Sequence, residues 1–511
     1  MDVKMKPQSL VMVIFGASGD LTRRKLIPAL YLLYKHNRLP ENFAILGVAR
    51  TAFTDDEFRE RIHLQLLRFV KPEDVNEEKI RSFVSLINYF PMDPADPDEY
   101  LRLQPRLLKL DQMIGNGENY IYYLATPPSL YGVIPQYLKN VGLNLSKGPK
   151  GNKRIIVEKP FGYDLESALE LNNIYYKDAF REDQIFRIDH YLGKETVQNI
   201  LALRFANTVF EPVWNRNYID YVEVTAVENM GIEQRGGYFD DAGTLRDMVQ
   251  NHLIQLVALT AMEPPTAFNP DSFRDELAKV YQSLTPLTEK DINQHIIRGQ
   301  YTASEGRKAY REEKDVAPDS RTETFLAMKL SISNWRWSGV PFYIRTGKQM
   351  PTKVSEIVVH FKPTPFPLFN CAERTCPTAN LLIIRIQPNE GIVLKFGLKV
   401  PGSGFDVKQV AMDFSYSSLG PIPTEDAYAR LIEDCILGDS TLFTRSDAVE
   451  ACWKYFTPVL EYWKNHPESP LYGYPAGTWG PREADMLIQE QNAEWSNPCK
   501  NLTNTELYCE L

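Results

Sequence analysis

The sequence predicts two folds in succession: an α/β unit wound on a parallel sheet, then a larger α+β unit with an antiparallel sheet. The first prediction rests on rhythm. Short β-rich runs at Leu10–Phe15, Ala44–Val48, Ile87–Phe90, Tyr120–Ala125, Arg154–Val157 and Ile185–Arg187 alternate with helix-length segments such as Asp55–Arg68 and Tyr131–Val141. Strands separated by helices pair by crossing over, which gives a parallel sheet with helices on its faces. Beyond Arg187 the rhythm changes. Asp220–Val227, Thr324–Ile332, Phe342–Arg345, Glu356–Phe361, Asn380–Gln387, Gly391–Lys399 and Val410–Ser415 read as strands without a helix between each pair, the pattern of an antiparallel sheet with segregated helices. Pro363–Pro367 and Tyr472–Pro481, rich in proline and glycine, read as loops.

Composition bounds the function. The chain has 511 residues, enough for several domains at about 150 residues each. Hydrophobic residues make up 43% and charged residues 24%, as in ordinary globular proteins. A net charge of −9 argues against nucleic acid as the main partner, while a local basic pocket can still hold a phosphorylated substrate. No apolar run reaches about 18 residues, so no membrane span is expected. The opening MDVKMKPQSLVMVIFG leads straight into a glycine loop and does not read as a signal peptide, which makes the expected location cytoplasmic. The six cysteines, Cys371, Cys376, Cys435, Cys452, Cys499 and Cys509, follow no standard zinc spacing and read as reduced thiols, so no metal is expected. Asn501-Leu502-Thr503 fits a glycosylation pattern that often arises by chance.

Leu10–Phe15 runs into Gly16-Ala17-Ser18-Gly19-Asp20-Leu21-Thr22, and a helical pattern follows with Leu26, Ile27, Leu30, Leu33 and Tyr34 on one face. Strand, glycine turn and helix start suit a pyrophosphate, because glycine admits close backbone approach and the first helical N–H groups favour an anion. Ser18 stands at the second glycine position of G-x-G-x-x-G, and Pro28 is expected to begin the regular helix or to kink it. Taken alone, the segment also fits a tight turn with no ligand. The second strand ends in Ala49-Arg50-Thr51, with an arginine and no acid. An acid there suits the ribose 2′-hydroxyl of NAD and an arginine the 2′-phosphate of NADP, so NADP is the expected coenzyme.

Three further segments gather polar residues where strands end. Glu158-Lys159-Pro160-Phe161-Gly162 follows the strand at Arg154–Val157 and places Lys159 where coenzyme and substrate are expected to meet. Arg187-Ile188-Asp189-His190-Tyr191-Leu192-Gly193-Lys194-Glu195 opens a helix carrying Val197, Ile200, Leu201 and Phe205, so His190, Tyr191 and Lys194 cluster near a helix start that suits phosphate. The third runs from Glu228 through Gly236-Gly237-Tyr238-Phe239-Asp240 to Arg246-Asp247-Met248-Val249-Gln250-Asn251-His252. Thr244–Met262 reads as a helix with His252 on its buried stripe. A buried histidine is more often a hydrogen-bonded core residue than a base; as a base it needs a carboxylate partner, which the spacing alone does not select. Lys348 and Lys353, in Val340–Lys353, add cations within reach of a sugar phosphate.

Taken together, GASGDL, EKPFG, RIDHYLGKE, RGGYFD…RDMVQNH and FYIRTGK resemble the signatures of the glucose-6-phosphate dehydrogenase family in order and spacing, from about Val11 to Leu487. The resemblance implies an α/β Rossmann coenzyme domain over 1–188 and a larger α+β domain over 189–511, for substrate binding and oligomerisation, with a mostly antiparallel nine-stranded sheet. It implies oxidation of glucose 6-phosphate with NADP, His252 as general base and Asp189 as its partner carboxylate. His190, Tyr191 and Lys194 resemble the substrate-phosphate ligands. Glu228, Asp247, Lys348 and Lys353, with Gln387, resemble residues holding the sugar and its phosphate. Lys159 resembles the lysine shared by substrate and nicotinamide, and Pro160 the family's cis-proline. Gly16, Ala17, Ser18, Gly19, Asp20, Leu21, Thr22, Arg50 and Tyr131 match the coenzyme site. A homodimer or homotetramer is implied as well. Animal members hold a second, structural NADP; Arg385, Lys395 and Asp413 stand at some of its ligand positions, but Trp479 replaces an arginine, as expected of a bacterial-type member without that site. The alternatives are another NADP-linked sugar dehydrogenase or a non-catalytic NADP(H)-binding regulator.

Overall fold

The computed structural model describes residues 8–115, 117–145, 152–366, 368–369, 379–420, 426–489 and 493–498, apart from the side chains of 176–178. Cys371, Cys376, Cys499, Cys509 and Asn501–Thr503 lie outside the described residues. The chain divides into two compact units. One comprises Met1–Lys194, Thr266–Arg274 and Glu425–Glu450; the other comprises Glu195–Pro265, Asp275–Thr424 and Ala451–Leu511. No helix among the described residues is long and apolar enough to cross a membrane.

The first unit is built on β1 (Leu10–Phe15), β2 (Phe43–Ala49), β3 (Ile87–Pro91), β4 (Tyr120–Leu124), β5 (Lys153–Glu158) and β6 (Ile185–Ile188). They form one parallel sheet in the order β3-β2-β1-β4-β5-β6. Helices on both faces explain why β1, β2 and β4 are buried at every position and read as unbroken apolar runs. Strand order reverses between β1 and β4, the switch point where ligands of such sheets bind beyond the carboxyl ends. Gly16 follows β1 at this point with φ +86°, and a Cβ there would sit 2.1 Å from the Ala125 carbonyl oxygen. The following helix opens with a π-helical turn, Thr22–Leu26, and continues as α-helix over Ile27–Lys35. Pro28 therefore begins the regular part rather than kinking it.

A distant segment completes this unit. Helix Ala427–Leu437, capped by Asp426, packs on the sheet's helices through Arg38 Nε, which donates to Glu433 Oε1 at 2.7 Å. Arg154 Nη1 donates to the carbonyls of Cys435 and Ile436 at its carboxyl end, each at 3.1 Å.

The second unit is built on β7 (Ile219–Val227), β8 (Ile296–Thr302), β9 (Phe325–Ser331), β10 (Pro341–Gly347), β11 (Val354–Phe361), β12 (Leu381–Gln387), β13 (Gly391–Lys399), β14 (Val407–Ser415) and β15 (Tyr472–Pro475). The nine strands lie in the order β14-β13-β12-β11-β7-β10-β9-β8-β15; β7 with β10 and β8 with β15 are parallel, and the other pairs antiparallel. Two of these strands escaped the sequence pattern. β8, IIRGQYT, carries a buried Arg298 whose guanidinium reaches the carbonyls of Ser469 and Pro470, each at 3.0 Å, so its polar content belongs to the interior. The expectation of a loop over Tyr472–Pro481 is corrected: Tyr472–Pro475 is an edge strand, where proline costs no ladder bond. A buried helix, Ile254–Ala261, is fixed by Trp214 Nε1 and Trp337 Nε1, which donate to the carbonyls of Thr260 and Ala261, each at 2.8 Å.

Gly16→Ala tests the switch-point turn. A left-handed residue forced against a backbone carbonyl is expected to destabilise the first unit by about 2–4 kcal/mol. Thermal unfolding should reveal an early transition, and an unchanged profile would contradict the close approach.

Candidate active site

In the first unit, three expected segments follow carboxyl ends of the parallel sheet: Gly16–Thr22 after β1, Lys159 after β5 and Asp189–Lys194 after β6. The glycine turn is fixed from within. Gly16 N–H and Ala17 N–H donate to the Val48 carbonyl at 2.8 and 3.1 Å, Gly19 N–H donates to the Gly16 carbonyl at 2.9 Å, and Thr22 Oγ1 donates to that same carbonyl at 3.0 Å. Asp20 pairs with Arg23 and Arg24, and Ser18 and Leu21 are half-buried. Cβ atoms on Gly16 and Gly19 would press on the Ala125 and Gly16 carbonyls, so the two glycines let the turn close tightly at the start of a helix, a form that fits a pyrophosphate. Arg50 is exposed directly after β2, where Tyr89 Oη donates to the flanking carbonyls of Ala49 and Thr51 at 3.2 and 2.6 Å. Tyr131 is buried and lines a small internal cavity with Pro160, Phe161 and Tyr175. The Lys159–Pro160 peptide is cis, and Gly162, at φ +85°, turns back against Ala168.

The RIDHYLGKE segment divides its labour. Arg187 is 1% exposed and structural: its guanidinium donates to Glu182 and to Asn172 Oδ1, each at 3.0 Å. Asp189 is 2% exposed, and its Oδ1 accepts from Tyr191 N–H at 2.9 Å, closing the turn that presents His190, Tyr191 and Lys194. Lys194 Nζ lies 3.9 Å from the centre of the Tyr191 ring. The His190 ring stacks at 6.4 Å on Tyr428, from the distant helix Ala427–Leu437.

Three residues with no role in the sequence reading surround this cluster. Glu158, opposite Ile188 in the β5–β6 ladder, accepts from Tyr123 Oη at 2.5 Å. Burial pushes the Glu158 carboxyl up to about 7; the Tyr123 hydroxyl and the Lys159 charge hold it down, and Asp189 raises it. Tyr428 is raised by burial and by the charges of Glu158, Asp426 and Asp189. Their partners lie far away in sequence, so no local spacing could reveal them.

In the second unit, Glu228, Lys348 and Lys353 come together at one end of the central strands of the large sheet. β7 and β10 run parallel and end together at Val227 and Gly347, and Val354 pairs with Val227. Glu228 N–H donates to the Gly347 carbonyl at 3.0 Å, and Lys348 N–H donates to the Thr324 carbonyl at 2.9 Å. Tyr474, on the edge strand that the sequence concealed, donates its hydroxyl to the Lys348 carbonyl at 2.7 Å. Lys348 is 3% exposed; its ammonium is bonded to Glu228 Oε2 and lies 3.7 Å from Asp247 Oδ2. Two carboxylates thus face a buried ammonium and offset its charge. Lys353 is exposed just before β11, while Gln387 Nε2 donates to Ser355 Oγ at 3.2 Å. Asp247 and His252 lie on a π-helical segment, Leu245–Leu253, rather than on the α-helix expected over Thr244–Met262; α-helix resumes at Ile254. His252 is 1% exposed. Farther along the sheet, Arg385 pairs with Asp413, and the Arg345 guanidinium lies 4.7 Å from the ring centres of both Trp479 and Trp495.

A doubly wound parallel sheet with a glycine turn on its first strand defines the class of dinucleotide-binding oxidoreductase folds. Residues 13–199 match the family model described as glucose-6-phosphate dehydrogenase, NAD binding domain, and residues 201–496 match that of the C-terminal domain. The chain is 53% identical over 498 residues to the glucose-6-phosphate 1-dehydrogenase of Aggregatibacter actinomycetemcomitans, covering 97% of this chain and 98% of the relative. It is 47% identical over 506 residues to that of Treponema pallidum (strain Nichols), covering 98% of each. A solved glucose-6-phosphate dehydrogenase in complex with its substrate glucose-6-phosphate superposes with a TM-score of 0.87 at 36% identity, covering 96% of this chain and 99% of that one. The chain belongs to the glucose-6-phosphate dehydrogenase family.

Glu158 yields a pH prediction. Its folded pKa of about 7 lies above the ordinary carboxylate value, so the native state holds a proton that the unfolded chain has released. Stability is undiminished below the unfolded value, falls as pH rises through the window up to about 7 and is flat above it. Glu158→Gln should therefore shrink the drop in Tm between about pH 5 and pH 8; an equal drop in both proteins would contradict the assignment.

Proposed function

We infer that the protein oxidises D-glucose 6-phosphate at C1 with NADP to give 6-phospho-D-glucono-1,5-lactone and NADPH, the first step of the oxidative pentose phosphate pathway. The observation that carries this reading is Lys348, a buried ammonium fixed between Glu228 and Asp247 on the element that also bears His252. Such a constellation supplies hydrogen-bond acceptors and a donor for the hydroxyls of a sugar.

NADP supplies the hydride acceptor when bound; Gly16–Thr22, Arg50, Tyr131 and Lys159 are the residues proposed to hold it. His252 Nε2 takes the proton of the C1 hydroxyl, and Asp189 is its proposed partner, fixing the tautomer and stabilising the imidazolium. His190, Tyr191 and Lys194 bind the substrate phosphate, and Glu228, Asp247, Lys348, Lys353 and Gln387 orient the sugar. Binding energy from these groups holds C1 in line for transfer. The same reading assigns coenzyme binding to 1–188 and substrate binding and oligomerisation to 189–511.

One NADP per subunit, a cytoplasmic location and a homo-oligomer belong to this proposal. Trp479, standing where the animal members carry an arginine, supports the single coenzyme; its ring centre lies 4.7 Å from the Arg345 guanidinium. The outer part of β13 and β14 supports self-association, with Leu398, Met412 and Phe414 exposed there.

His252→Ala is expected to lower kcat by about 10²–10⁴-fold, read at 340 nm with glucose 6-phosphate and NADP, with KM nearly unchanged. Wild-type turnover would remove His252 from the chemistry. Lys194→Ala should cut kcat/KM for glucose 6-phosphate far more than for free glucose. Equal losses for both sugars would argue against a phosphate contact, and a wider sugar panel separates this enzyme from other sugar dehydrogenases.

A further inference from the structure

The helix that bears Asp247 and His252 starts at a kink, and one buried side chain from another element fills that kink. Gly243, next to last in helix Gly236–Thr244, takes the non-helical angles φ +69° and ψ 171° just before the π-helical segment Leu245–Leu253. Glu323, just ahead of β9, reaches it: its Oε1 accepts from Leu245 N–H at 2.9 Å. Its main-chain carbonyl accepts from Thr244 N–H at 3.1 Å and from Thr244 Oγ1 at 2.8 Å. A Cβ on Gly243 would lie 2.6 Å from Glu323 Oε1, so the missing side chain makes room for the carboxylate. Glu323 is 6% exposed. Burial raises its pKa, while the Leu245 N–H, its own N–H and the charges of Arg298 and Arg246 act the other way.

The arrangement has a geometric consequence. A π-helix bonds each residue to the fifth one along, so residues five apart share one face, whereas in an α-helix they diverge. Asp247 and His252 are five apart. Arg246 and Asn251 repeat the spacing, with Asn251 Nδ2 donating to the Arg246 carbonyl at 2.7 Å. The residue after Glu323 carries the second half of the linkage, since the Thr324 carbonyl accepts from Lys348 N–H. Adjacent residues therefore hold the helix of Asp247 and His252 and the turn of Lys348.

We propose that Glu323 is a positioning residue for the reaction: its carboxylate, seated on Gly243, sets where the π-helical segment begins and so the direction in which Asp247 and His252 face, in fixed relation to Lys348. An acceptor is required here because the first N–H groups of a buried helix need partners, and a carboxylate also complements the helix dipole. The proposal rests on the site reading given above.

The test compares Glu323→Leu, Glu323→Gln and Gly243→Ala with His252→Ala, all assayed well below their unfolding temperatures. Glu323→Leu is expected to lower kcat with glucose 6-phosphate by about 10–100-fold, since a shift near 1 Å costs that much. NADP affinity, read by fluorescence, should stay at the wild-type value, which distinguishes misdirected side chains from general unfolding. Glu323→Gln keeps a carbonyl acceptor and should restore turnover to within about threefold. Gly243→Ala displaces the carboxylate without removing it and should reproduce the loss, which keeps the test decisive if Glu323→Leu fails to fold. Wild-type kcat in both Glu323→Leu and Gly243→Ala, beside an inactive His252→Ala, overturns the positioning role alone. Equal damage from Gln and Leu also overturns it. Full turnover by His252→Ala overturns the site reading and this proposal with it.

Discussion

Buried charge at the carboxyl ends of the central strands of the large sheet is the constraint on which the second unit is organised. Glu228 and Asp247 face the buried Lys348 ammonium and offset its charge. Each comes from a different element: the end of β7, the end of β10 and the π-helical segment. Moving any of them leaves the buried Lys348 ammonium with less compensation. The supporting bonds are correspondingly dense. Tyr474 holds the Lys348 carbonyl, Thr324 holds its N–H, and Glu323 holds the helix that carries Asp247.

The first unit solves a related problem by hydrogen bonding. Asp189 is buried at the end of β6, and one of its oxygens is engaged by the backbone of its own turn, which fixes the rings of His190 and Tyr191. Glu158, on the neighbouring strand, is held by the Tyr123 hydroxyl and is pushed toward the neutral form by burial. Two acids at adjacent strand ends thus have different hydrogen-bond partners: a tyrosine hydroxyl for Glu158 and a backbone N–H for Asp189. The Tyr428 ring, delivered by a helix far along the chain, closes over His190.

Much of this was legible in the residues. The six parallel strands appeared within one or two positions of their ends, because strands buried on both faces leave apolar runs that helices interrupt regularly. Gly16 announced its turn, and the structure supplies the reason in the carbonyl of Ala125. The hidden strands were those whose polar content is satisfied from afar. Arg298 in β8 reaches the Ser469–Pro470 backbone, and Tyr472–Pro475 is an edge strand whose proline mimics a loop. The α-helical stripe drawn through His252 was right about burial and wrong about pitch. Every residue from Asp247 to Leu253 is buried, so no exposed face was left to betray the period.

By itself, then, the sequence determined the class of each unit, the glycine turn after β1 and the polar segments from which a site could be drawn. These depend on side-chain types and on spacings of a few residues, which local sterics and periodicity translate directly into structure. Only the tertiary fold decided which carboxylates face Lys348, which tyrosines surround Glu158 and where the helix of His252 changes its pitch. Those choices depend on Tyr123, Tyr428, Tyr474 and Glu323, whose partners are remote along the chain. A contact between distant positions leaves no periodic trace in either segment, because its free energy is realised only when both are packed.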